Sequence, residues 1–282
     1  TLLLSYISIT FFSLLLFILG ISAPMQTSKN AISLGFVHPN VTSLILVVMY
    51  FLICSINNSI NLKNYLLLLL LFFEIFFIQK SKVAAVILVI YPIVFWCIKK
   101  NGIKNNVKCK YMAEFSQLFV FLIVVLLFIL YPLSIYDKFR DTIDSFLSYR
   151  PYLNFNNLMH YGVSLWGRNV EIYNISDYAY NYYLGYASNI KFNTVDCAYV
   201  IGLISIGIIP MIIMFILYIN VIRKAWNNSN YIVITVSIMF ALYGFIENGT
   251  NDLFCFFPLF YLLANDDMYN SFEVIKGENN DT

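Results

Sequence analysis
The sequence predicts an all-α, polytopic transmembrane fold. Three observations carry that expectation. Of 282 residues, 60% are hydrophobic and only 11% charged, less than half the roughly 25% of charged residues in ordinary domains. The mean hydropathy is +0.76. Several apolar runs reach or approach the roughly 18 to 20 residues that cross a bilayer as a helix. Such runs cannot cross as open strands, because unpaired backbone groups find no water in the hydrocarbon.

Eight spans are predicted, at 2–22, 41–58, 64–79, 83–98, 115–136, 197–220, 230–247 and 253–264. The first follows Thr1 at once, with no initiator Met and no cleavable signal pattern, and so reads as part of a chain that has lost upstream helices, or else as a processed chain. The second, "VTSLILVVMYFLICSINN", is apolar apart from Thr42, Ser43, Ser55 and its closing amides. The third contains a lone carboxylate, Glu74, in "LLLLFFEIFFIQ". The fourth and fifth carry Pro92 and Pro132, and the sixth carries Pro210. The seventh ends in "ALYGFIEN", and the eighth is short enough to be re-entrant. The chain therefore divides into helices 1–5 (residues 1–136), one large loop (137–196), helices 6–8 (197–264) and a polar tail (265–282).

Lys and Arg favour the cytoplasmic side of short loops. "CIKKNGIKNNVKCK" holds Lys99, Lys100, Lys104, Lys108 and Lys110. Placing it inside puts Lys63, Arg223, Lys224 and the tail inside as well. Segments 23–40, 79–82, 137–196 and 248–252 then face outside. Lys80 and Lys82, in a four-residue outer loop, run against the rule. The five cysteines (54, 97, 109, 197 and 255) form no CxxC pair, so neither a metal site nor a disulfide framework follows. No Asp-x-Asp pair calls for a divalent metal, and no cofactor is implied. A net charge of +2 is too small to suggest a nucleic-acid partner and leaves membrane lipids as the obvious one.

The outer segment 137–196 is the polar island of the chain. It holds Arg140, Arg150 and Arg168 and nine of the 22 tyrosines, Tyr161 among them. Arginine suits phosphate because its planar fork donates two parallel hydrogen bonds and stays charged. Tyrosine stacks on sugars, and equally populates the bilayer interface. His160 lies between Arg150 and Arg168 in sequence, and flanking cations favour its neutral, proton-accepting form. A surface histidine and a solvated basic face are the plainer readings of the same residues. Glu74 lies about 7.5 Å of helix rise from Gln79. An ionised carboxylate at that depth is costly, and Lys80 and Lys82 are near enough in sequence to pair with it.

Five stretches, in order, resemble the Wzy family, the polymerases of O-antigen and capsular polysaccharide. "KNAISLGFVHPN" (29–40) is similar to an external segment ending in His-Pro-Asn. "IQKSKVA" (78–84) stands where members carry Ser-Arg-Thr, with Lys82 for the arginine. "YRPYLNFNNLMHYGVSLWG" (149–167) resembles an arginine-bearing loop with Tyr-Gly and a Leu-Phe-Gly-like turn. "NTVDCAYVIGLISIGIIP" (193–210) is similar to a Val-Asp-Ser-x-Tyr helix start, and "ALYGFIEN" (241–248) matches a Tyr-Gly-x-x-Glu ending.

The resemblance implies a GT-C-like glycosyltransferase of the bacterial plasma membrane. It would join repeat units carried on undecaprenyl pyrophosphate at the outer face, alongside flippase and chain-length regulator proteins. His160, Arg150 and Arg168 are then the expected catalytic residues. Arg140, Lys82, His38, Asp196, Tyr161 and Glu247 are expected to bind substrate, with His38 and Asp196 next in line as base. Lysine lacks the bidentate fork, which weakens a phosphate role at Lys82. An O-antigen-type ligase would use the same chemistry. A flippase of lipid-linked sugars is the competing class, and would show inverted repeats and polar mid-membrane helices.

Overall fold
The structure, a computed structural model, describes residues 8, 11, 15, 18, 19, 39–57, 61–131, 150–169 and 197–245. All regular structure among them is helical. α1 is Pro39–Asn57, α2 Leu62–Phe73, α3 Lys82–Ile103, α4 Val107–Glu114 and α5 Ser116–Leu130. After these come α6 (Arg150–Tyr161), α7 (Ala198–Ser205), α8 (Ile208–Asn227) and α9 (Tyr231–Gly244). Two of them, α3 and α8, are long and apolar enough to cross a membrane; a third span results if α4 and α5, bent by 53°, count as one. α1 and α9 are shorter apolar helices. The expected spans 2–22 (apart from five residues) and 253–264 lie outside the described residues.

Asparagines begin several of these helices. Asn61 Oδ1 accepts the Asn64 N–H at 3.0 Å, and Asn230 Oδ1 accepts the Val233 N–H at 3.2 Å. Asn106 Oδ1 takes the N–H groups of both Lys108 and Cys109. Each side chain satisfies donors that the first turn leaves orphaned. Beyond Phe73, α2 widens into a π-helix, Glu74–Ile78, where the Gln79 N–H reaches five residues back to the Glu74 carbonyl at 3.2 Å.

Two buried clusters hold the described helices. The larger joins α1, α2, α3, α8 and α9. At its centre Phe51 stacks on Tyr91 (4.8 Å) and meets Phe240 edge-on (5.7 Å). The smaller joins α5, α7 and the start of α8, with Leu158 and Tyr161 of α6 packed on it.

Polar contacts gather the lysine-bearing ends. Lys110 Nζ donates to Asn227 Oδ1 at 3.4 Å, and Arg223 Nε lies 3.1 Å from Glu114 Oε2. Gly102, near the end of α3, abuts Tyr231 at the start of α9. The far end of α8, at Ile208, is about 30 Å away by helix rise. Lys99 and Lys100 fold back over the rings of Phe95 and Trp96, as long cations do where an apolar helix meets a polar boundary.

Three expectations change. The lysine segment 99–110 is not a simple loop, since it runs into α4. The segment 137–196 contains a helix, α6. The expected span 197–220 is broken at Ile206–Gly207 into α7 and α8. A straight helix would separate Gly202 and Met211 by about 13.5 Å, yet a Cβ on Gly202 would meet the Met211 sulfur at 2.7 Å. Phe121 likewise touches both Tyr199 and Phe215. The chain turns back on itself at the break.

Candidate functional site
α6 forms because "RPYLNFNNLMHY" repeats at helical spacing. Pro151, Asn154, Leu158 and Tyr161 make its inner face, while Tyr152, Asn156, Met159 and His160 are exposed. Pro151 sits in the first turn, where its missing N–H costs nothing. Asn157 is buried too, and its amide donates to the Leu153 carbonyl at 2.8 Å. The Tyr131 ring, at the end of α5, meets Phe155 at 5.0 Å and Tyr152 at 6.4 Å. The helix thus lies on α5 and α7.

Its C-terminus is closed twice. Gly162, at φ +67°, returns its N–H to the Leu158 carbonyl at 2.8 Å, a left-handed cap that glycine adopts without strain. The Arg168 guanidinium donates from Nη1 to the Tyr161 carbonyl at 2.7 Å. A cation there also complements the helix dipole.

The following turn, "VSLWGR", docks into the α7–α8 break. The carbonyls of Ser164 and Leu165 accept the N–H groups of Ile208 and Ile209, each at 3.1 Å. Pro210 has no N–H to place, and Met211 donates to Gly207. Every backbone donor at the start of α8 is therefore accounted for. On the other side of the break, the Arg168 N–H donates to the Ile204 carbonyl at 3.0 Å. The approach is close enough to demand two glycines. A Cβ on Gly167 would lie 2.1 Å from the Ser205 oxygen, and one on Gly207 would lie 2.3 Å from the Gly167 nitrogen. Both have positive φ, +80° and +94°.

The result is a rigidly held ledge at the end of α8 opposite the lysine cluster. It presents Arg168, His160 and Trp166 as exposed side chains. Arg168 commits one of its five N–H donors to Tyr161 in this arrangement. Its guanidinium is fixed on a helix end with its outer face open, a geometry suited to an oxyanion. His160 packs its ring edge-on against Tyr161 at 4.7 Å. Asn154 Oδ1 and Ser164 Oγ are buried without a hydrogen-bond partner, two polar atoms in the same segment.

Of the expected site residues, His160, Tyr161 and Arg168 come together. Arg150 opens α6, its backbone ten residues and about 15 Å of helix rise from that of His160. Lys82, exposed, opens α3, a helix whose buried face belongs to the larger cluster. Arg140, His38, Asp196 and Glu247 lie outside the described residues. Sequence reasoning missed the docking residues Ser164, Gly167 and Gly207. The available signal was a glycine interrupting an apolar run, "LISIGIIP".

A second polar place adjoins Lys82. The Ser43 hydroxyl of α1 donates to Gln79 Oε1, and Gln79 Nε2 donates to Glu74 Oε1 at 3.4 Å. The carboxylate's described partner is thus an amide. Among the described residues no group of three or more His, Cys, Asp or Glu could hold a metal.

Comparison of the chain with protein families, characterised proteins and solved structures finds no match.

Proposed function
We propose that this chain is a multi-pass enzyme of the bacterial plasma membrane, with eight spans and a GT-C-like arrangement. It polymerises repeat units carried on undecaprenyl pyrophosphate at the outer face. The observation that carries the reading is the docked ledge: an arginine and a histidine held at the bundle end opposite five lysines. The charge rule assigns the lysine end to the cytoplasm, so the ledge faces the side where lipid-linked glycans are assembled.

In the reaction, a hydroxyl oxygen of the incoming unit attacks the anomeric carbon of the growing chain. The carbon–oxygen bond to pyrophosphate breaks, and the pyrophosphate leaves with the electron pair on its lipid. Arg168 stabilises the growing negative charge, with Arg150 as a separate contact nearer the far end of α6. The hydroxyl proton passes to His160. No step draws on a metal.

Glycan analysis after removal of the chain tests the reading. Collapse of the polysaccharide ladder to a single repeat unit is expected. Normal chain length with loss of surface attachment would instead make the chain a ligase, and an unchanged glycan would refute both. Within the polymerase reading, Arg168→Ala costs about 2.7 to 4 kcal/mol of transition-state stabilisation, about 10²–10³ in rate. Arg168→Lys fails nearly as badly, because one arginine N–H holds the helix end while the remaining fork meets the phosphate.

A further inference from the structure
Glu74 has no part in the mechanism above, yet it stands in one of the most apolar stretches of the protein. Leu66, Leu69, Leu70, Phe73, Phe76 and Phe77 around it are exposed on the outside of the helix, the face a bilayer covers. Glu74 is half-buried on the inner side, next to the fully buried Ile75. An ionisable group in such a helix marks a functional site by default, and the question becomes what holds it.

Gln79 holds it twice. Its backbone N–H reaches the Glu74 carbonyl, closing the π-helical turn, and its side-chain amide reaches the Glu74 carboxylate. Gln79 is itself 1% exposed, and its oxygen is engaged by Ser43, which is 0% exposed. The amide therefore cannot flip without losing both bonds. Ser43 as donor and Glu74 as acceptor fix its orientation. A π-turn inserts one residue into a helix at a cost, and such turns concentrate at functional sites. Among the described residues, Gln79 donates to the carboxylate, with Ser43 of α1 behind the amide. The nearby cations in sequence are Lys80, in the following turn, and Lys82, at the start of α3.

We propose that Glu74 is a proton-binding carboxyl site, set by the Gln79–Ser43 pair at the end of the bundle away from the lysine cluster. The deprotonated form accepts a charge-assisted hydrogen bond from Gln79. The protonated form is neutral and matches the apolar helix. The site takes up a proton in acid and releases it as pH rises, and Gln79 sets where that change falls. This site stands apart from the reading of the ledge and does not depend on it.

Dicyclohexylcarbodiimide tests the proposal, because it enters membranes and modifies protonated carboxyls in apolar surroundings. In membranes containing the full chain, mass spectrometry of the modified protein should find the adduct on Glu74. Its yield should fall as pH rises, and Glu74→Gln should abolish it. Gln79→Leu removes the amide that meets the carboxylate, so its profile should differ from the parent's. Three outcomes would overturn the proposal: no adduct at any pH, an adduct of constant yield across the range, or a Gln79→Leu profile that superimposes on the parent. A purely structural glutamate would give one of these.

Discussion

At the scale of residues, the two glycines of the α7–α8 break carry the ledge. Gly167 and Gly207 combine positive φ with backbone atoms where a Cβ would go. Gly167→Ala or Gly207→Ala therefore adds left-handed strain of about 1–2 kcal/mol to overpacking of about 1–3 kcal/mol. The neighbour that must yield is backbone. Gly162→Ala is the informative contrast. Its φ is also positive, but the nearest atom to an added Cβ is Arg168 Nη1 at 4.0 Å, so only the strain applies. Thermal unfolding of the detergent-solubilised protein should rank the three, with Gly162→Ala mildest. Equal losses at all three positions would show that the segment is not docked as described. Nothing in the composition distinguishes these glycines from the others; their role depends on two segments some forty residues apart.

At the scale of elements, legibility followed hydropathy. α3, α5 and α9 are apolar through most of their length, and the sequence places them within a few residues. Hydropathy is blind to two other kinds of element. α4 lies among lysines, where polarity reads as loop, and its Asn106 cap was the missed signal. α6 buries amides, Asn154 and Asn157, on its packed face, so its inner stripe does not look apolar. Conversely the α7–α8 break is invisible because both sides are uniformly apolar and only Gly207 marks it. Arg150 and His160 illustrate a related point, since nearness along an expected loop becomes separation along a helix.

The joint of α4 with α8 makes a prediction of its own. Glu114 is 1% exposed and Arg223 is the charge beside it, while neither carboxylate oxygen receives a well-aligned hydrogen bond. Removing one partner of such a pair strands a buried charge, at about 3–5 kcal/mol when both are buried. Arg223 is half-exposed, so Arg223→Ala should fall below that range, near about 2 kcal/mol. Adding Glu114→Gln should restore much of the loss. If the double variant is as unstable as the sum of the singles, the ion pair does not organise the joint.

At the scale of the whole molecule, a bundle of apolar helices carries lysines at one end and the arginine–histidine ledge at the other. The sequence anticipated this polarity from charge alone. The structure supplies its physical basis in α8, whose roughly 30 Å separates Arg223 and Lys224 from the break where the ledge docks. The proposed chemistry depends on that separation, because a ledge on the cytoplasmic side would meet no finished lipid-linked glycan. The direct measurement is labelling of single cysteines with a membrane-impermeant maleimide in intact cells, in a chain whose five native cysteines are replaced by serine. Asn156→Cys, on the exposed face of α6, should label in intact cells. Lys104→Cys, in the lysine segment, should label only after lysis. The reverse pattern, with Lys104→Cys labelled in intact cells and Asn156→Cys only after lysis, would contradict the account.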